Sequence, residues 1–182
     1  MSARSSAATG WLPLIAGLAI AAAGGAVFAA DDEGAWALVV ENDVFSDTDR
    51  HYTNGIRVGH ILPRNVTPAW LKEASDRTGL FPDHAAYRTV FSVGQNMYTP
   101  RDITIDPPDP TDRPYAGWLY ATAGISGRRG QQLNSLELSV GVIGPASLAG
   151  PTQDRFHELI GSDEPRGWEH QLQNEPALMA TY

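Results

Sequence analysis

Apolar and polar positions alternate along most of this chain beyond its first thirty or so residues. In Ser135–Val142, Leu136, Leu138, Val140 and Val142 fall on one side, and Glu137, Ser139 and Gly141 on the other. A period of two predicts a strand with one apolar face. Ala35–Asn42 repeats the pattern through Trp36, Leu38 and Val40. In Tyr52–Ile61, Ile56 and Val58 share one face, while Thr53 and Arg57 share the other. Thr89–Tyr98 alternates less cleanly, Gly117–Ile125 runs from large to small side chains, and Ala177–Tyr182 begins a sixth run. One helix stands out over Pro151–Gly161, with Pro early, Gly at the end and Phe156, Leu159 and Ile160 at helical spacing. Gln153 and His157 are four apart and share a face, beside an apolar row of Phe156 and Ile160. Trp70–Arg77 reads as a short helix inside the connection Pro63–Tyr87. Thr99–Pro114, with five Pro and four Asp, reads as a loop. The expectation is an all-β, antiparallel protein with about six strands in this chain.

The N-terminus reads as an address. Trp11–Ala30 carries no charge, follows a short segment with Arg4, and ends in small residues. Val27-Phe28-Ala29 has the small-x-small form of a signal-peptidase site, and Asp31-Asp32-Glu33 follows. Residues 1–29 are therefore expected to be a signal peptide; an uncleaved membrane anchor is the alternative. Composition narrows the classes further. A formal charge of -8 argues against a nucleic-acid binder, and the absence of Cys excludes disulfide frameworks, thiolate metal sites and Cys nucleophiles. An exported chain of alternating strands suits two settings. One is an outer-membrane barrel, with apolar residues toward lipid and polar ones inward. The other is a soluble periplasmic sheet protein. Trp36, Tyr52, Tyr98, Tyr115 and Trp118, near strand ends, suit the interfacial aromatic girdle of a barrel or ordinary sheet packing.

Two regions could carry chemistry. Glu41–Gly55 is crowded with carboxylate and amide oxygens, the donors calcium prefers, although the Gly and Glu of an EF-hand are missing at their offsets. From composition alone it reads rather as a solvated strand-to-strand turn with Asx caps. His157, with Gln153 on its face and Glu158, Asp163 and Glu164 nearby, could act as a general base or could be a structural histidine. Neither G-x-S-x-G nor H-E-x-x-H occurs.

Three stretches taken together resemble the outer-membrane lipid A 3′-O-deacylase family. They are Glu41-Asn42-Asp43 running on to Thr48–Gly55; Gln95–Pro100 followed by Asp112–Trp118; and Gly141–Pro145 followed by Gln153–Gly161. The resemblance implies an outer-membrane β-barrel of about twelve strands, with residues 30–182 as its N-terminal half, stopping short at the C-terminal end. It implies a calcium-dependent site on the inside of the barrel near its outer end, and removal of the 3′-linked acyloxyacyl group of lipid A. Position by position, Asn42 and Asp43 match the catalytic and calcium-binding pair, Thr53 an active-site threonine, His157 the catalytic base and Gln153 a polar site residue. Asp163, with Glu164 beside it, takes the place of an acidic residue after the helix. The family's Lys/Arg-rich stretch after the third strand falls here on Arg101–Asp106. The chain has one Lys, Lys72, so Arg101 and Arg113 are the cations left for an anionic lipid. A non-catalytic outer-membrane barrel, pore or structural, is the competing reading beside the soluble periplasmic one.

Overall fold

A computed structural model describes residues 34–42, 54–64, 66–81 and 86–182. Six strands form one sheet in chain order, each antiparallel to the next. They are β1 (Ala35–Asn42), β2 (Asn54–Ile61), β3 (Ala86–Tyr98), β4 (Ala116–Arg129), β5 (Gln132–Ile143) and β6 (Glu175–Thr181). Two helices join them, α1 (Ala69–Thr78) between β2 and β3 and α2 (Ala149–Ile160) between β5 and β6. The sheet is open at β1 and β6 among the described residues. All six predicted strands and both predicted helices are present. The signal-peptide residues, Asp43 and Thr53 lie outside the described residues.

Register sorts the side chains into two faces. Val40, Ile56, Gln95, Leu119 and Val142 are neighbours in one cross-strand row, and Leu38, Val58, Val93, Ala121, Val140 and Leu178 in the next. This face is mostly apolar, and many of its large side chains are exposed. The opposite face carries Arg57, Ser92, Asn96, Tyr120, Thr122, Glu137 and Ser139. Arg57 lies there as the alternation predicts.

The polar face is concave. Arg57 on β2 and Glu137 on β5 are 3.5 Å apart. They are separated by three strand spacings, roughly 14 Å in a flat sheet, so the sheet must curl to bring them together. Two glycines permit the curl. A Cβ at Gly94 would sit 2.5 Å from the Tyr120 ring, and one at Gly124 would sit 2.7 Å from Val90 and 3.0 Å from Glu137. Thr122 and Ser139 hydrogen-bond across the same face at 2.8 Å. A curled antiparallel wall that is polar inside and apolar outside is the pattern of an outer-membrane barrel.

The two ends of the wall differ. At one end Arg129 and Gln132 pair around Gly130-Gln131. Gly130 has φ 61°, as the first position of a tight hairpin turn requires. That end also holds α1, which stops at Gly79 (φ 68°). Leu71 of α1 joins Phe81 and Ile125 in a small core, with Tyr87, Phe91 and Leu136 against it. At the other end lie the long connections 99–115 and 144–174. Of the aromatics expected in an interfacial girdle, Trp36 is exposed on the apolar face. Trp118 instead stacks on Tyr120 in the concavity at 4.2 Å, and Tyr115 is fully buried. Tyr98 accepts a hydrogen bond from Asn96 on the concave side.

Candidate active site

The chain leaves β5 at Gly144, whose N–H donates to the Gly117 carbonyl. A 3-10 turn over Pro145–Ser147 and Leu148, held at φ 59°, then aim α2 back across the wall. A Leu in the left-handed region is strained. Its carbonyl accepts both the Thr152 N–H and the Thr152 hydroxyl, which fixes the first turn. Gly117 makes close approach possible, because a Cβ there would fall 2.1 Å from Ser147 Oγ and 2.3 Å from Ala149. Gln95 on the neighbouring strand donates its amide to the Ser147 carbonyl at 2.6 Å.

These contacts decide which face carries the helix. Gln95, Met97 and Gly117 belong to the apolar, convex rows, and Met97 packs with Ala149, Tyr115 and Trp168. The resemblance implied a site inside the barrel. α2 itself lies against the outer face of the wall. Glycine, alanine and glutamine on its inner side permit this. Gly150 and Ala149 let the backbone come close, and Gln153 is the polar residue they bring against the wall.

Gln153 is only 4 % exposed. Its Oε1 accepts from Trp168 Nε1 at 2.8 Å, and its Nε2 faces His157 Nε2 at 3.4 Å. His157 Nδ1 makes a short hydrogen bond to the backbone carbonyl of Asp163. Asp163 thus joins the site through its main chain. Its side chain is exposed. Glu164 lies near Asp154, whose carboxyl is pushed up by burial and by Glu164, against an opposing effect of His157.

A buried strap supports this helix. The Tyr115 hydroxyl faces the carbonyls of Arg166 at 2.9 Å and Ile103 at 3.2 Å, and Arg166 N–H donates to the same Ile103 carbonyl at 2.7 Å. Burial pushes the Tyr115 phenol up to about 12, with smaller contributions from Asp102, Glu169, Asp106 and Asp154. Short turns hold the 99–115 loop. Thr104 and Thr111 donate hydroxyl and backbone hydrogens to Asp102 and Asp109, keeping both carboxyls below the usual range. Arg101, proposed for substrate binding, sits on this loop with its N–H on Asp112 at 2.8 Å and not on α2.

Asn42 and Asn54 form the last pair of β1 and β2, and Asn54 is also the register partner of Met97, which touches α2. Their residue types, with Asp43, suit a hard cation such as calcium. A second group that could hold a metal ion consists of Asp106, Glu169 and His170, all exposed, with His170 Nε2 3.0 Å from Asp106 Oδ1. The sequence reading missed Trp168 and the main-chain role of Asp163. A buried indole N–H demands an acceptor, but its burial depends on contacts far along the chain.

Among curated proteins nothing matches this chain. A solved structure, LpxR from Salmonella typhimurium, matches with a TM-score of 0.55 and 22% identity, over 71% of this chain and 38% of that one. That likeness is one of fold, and this chain spans well under half of the matched protein. The family model described as outer membrane protein LpxR matches residues 12–182. The chain thus belongs to the LpxR family and is an outer-membrane protein, not the soluble periplasmic sheet its alternation also allowed.

Proposed function

We propose that this chain carries the active site of a lipid A deacylase, which hydrolyses the 3′-linked acyloxyacyl ester in the outer membrane. The observation that carries the reading is the position of His157. It sits at the rim of the apolar outer face, with one ring nitrogen fixed by a carbonyl and the other only loosely engaged at 3.4 Å. A substrate that is itself part of the bilayer reaches that face without leaving lipid.

In this reading His157 Nε2 takes a proton from water as the water oxygen attacks the ester carbonyl. The carbon–oxygen bond to the sugar then breaks, and the departing 3′ oxygen receives the proton. Gln153 holds the ring in plane. By resemblance, Thr53 orients the reacting group, and Asn42 and Asp43 hold Ca2+. When bound, Ca2+ supplies Lewis-acid polarisation of the carbonyl and stabilises developing negative charge. Arg101 and Glu164 face the polar part of the lipopolysaccharide, and Asp163 supports His157. Residues 1–29 act as the export signal, and residues 30–182 form the N-terminal half of the barrel.

Mass spectrometry of lipid A from cells expressing the full gene tests this. The expected result is loss of the 3′ acyloxyacyl mass, dependent on calcium. His157→Ala should lower the rate by about 10²–10⁴-fold while the protein still folds into the outer membrane. Unaltered lipid A with the native protein, or equal deacylation by His157→Ala, would overturn the reading.

A further inference from the structure

We infer that Trp168 sets the tautomer of His157 by fixing the amide orientation of Gln153, which makes Trp168 a positioning residue. This rests on the deacylase reading only for its effect on rate. An indole nitrogen can only donate. The Gln153 atom 2.8 Å from Trp168 Nε1 is therefore the carbonyl oxygen, and the amide nitrogen is the atom turned toward His157. That nitrogen is a donor, so His157 Nε2 must offer a lone pair. From the other side, the Asp163 carbonyl can only accept, so His157 Nδ1 carries the hydrogen. Both ends specify the same neutral tautomer, the one in which Nε2 is free to take a proton.

With Gln153 reversed, two donors would oppose each other at Trp168. Its oxygen would face Nε2 and favour a hydrogen there, which removes the base. The indole is held against such a swing. It lies 4.9 Å from the Tyr115 ring, centroid to centroid, and a Cβ at Gly150 would meet it at 3.1 Å. The 99–115 loop, 51 or more residues earlier in the chain than the Arg166 carbonyl it grips, thereby reaches the reacting nitrogen through two side chains.

Nitrogen-15 NMR of the full-length protein in micelles, labelled at histidine and assigned with His157→Ala, reads the tautomer without substrate. The native protein should show hydrogen on Nδ1. Trp168→Phe should give a mixture of tautomers and lower kcat, by up to about a hundredfold, with KM unchanged. Adding Gln153→Met should return the tautomer to Nδ1, because the flipped oxygen is gone. A merely packing role for Trp168 would not give that reversal. If Trp168→Phe fails to fold, benzothienylalanine at position 168 keeps the ring shape and removes only the N–H, with the same expectation. Hydrogen on Nε2 in the native protein, an unmoved tautomer on removing the N–H, or a mixture that persists without Gln153 would each overturn the inference. A shifted tautomer in a protein that never deacylates lipid A would overturn the deacylase reading alone. Deacylation with an unmoved tautomer would overturn the positioning role alone.

Discussion

The two helices rest on the same convex face of the wall, at opposite ends, and they are built in opposite senses. α1 turns Leu71 inward to an apolar core and leaves its charges outside as the pairs Lys72–Asp76 and Arg77–Glu73. α2 turns Ala149, Gly150 and Gln153 inward and leaves Phe156, Leu159 and Ile160 outside, Leu159 at 82 % exposure. The first arrangement is that of a helix in water. The second places a polar side chain against the wall and apolar ones where the neighbouring wall is also apolar. Burial of apolar surface holds α1, whereas α2 adds close backbone approach and directed hydrogen bonds to its buried cluster of Met97, Tyr115, Ala149 and Trp168. On the proposed reading, stability and chemistry are thus assigned to different ends.

That contrast can be broken from either side. The largest effect is expected from Gly117→Val, whose side chain would occupy the space of Ser147 and Ala149. It should displace α2 and lower deacylation by about a hundredfold or more, with barrel formation retained by heat-modified gel mobility. Leu71→Ala should do the reverse. It should lower unfolding stability by about 2–5 kcal/mol in a urea titration of the micellar protein, with normal deacylation by the folded fraction. If Leu71→Ala abolished activity in that fraction, the division of labour would be wrong.

Titration sharpens the picture next. Burial raises the Tyr115 phenol in the folded state from its ordinary 10 to about 12. Its contribution to stability is therefore complete below pH 10 and is lost as pH rises through about 12. Absorbance of ionised tyrosine, with fluorescence of Trp168, should report loosening of the α2 end in that window, and Tyr115→Phe should remove the ionisation step. The smallest effect is expected at Arg77, whose pair with Glu73 is widely exposed. Arg77→Ala should change stability by at most about 0.5 kcal/mol and leave deacylation unaltered.

The same contrast explains what could be read from the sequence. Ser135–Val142 alternates cleanly because most of its apolar row has no helix above it. Thr89–Tyr98 alternates poorly because its outward row is covered at both ends. Thr89 bonds Thr67 near α1, while Gln95 and Met97 meet the approach to α2. Those positions answer to protein contacts, so a period of two fades. Gln153 and His157 were legible because four-residue spacing fixes their shared face. Which face of the wall α2 covers was not, since it depends on Gly117 and Met97 from other strands. Asp163 was legible as a position, but its main-chain bond to His157 was not, because the sequence shows its carboxylate and not where its carbonyl points.

The glycines of the concave face carry a last lesson. At Gly94 and Gly124 the space that a methyl group would fill belongs to Tyr120, Val90 and Glu137. The bore of such a vessel is thus specified partly by subtraction, through carbons omitted at these places among others. A designer seeking a wider vessel from the same strands would begin by filling those two notches.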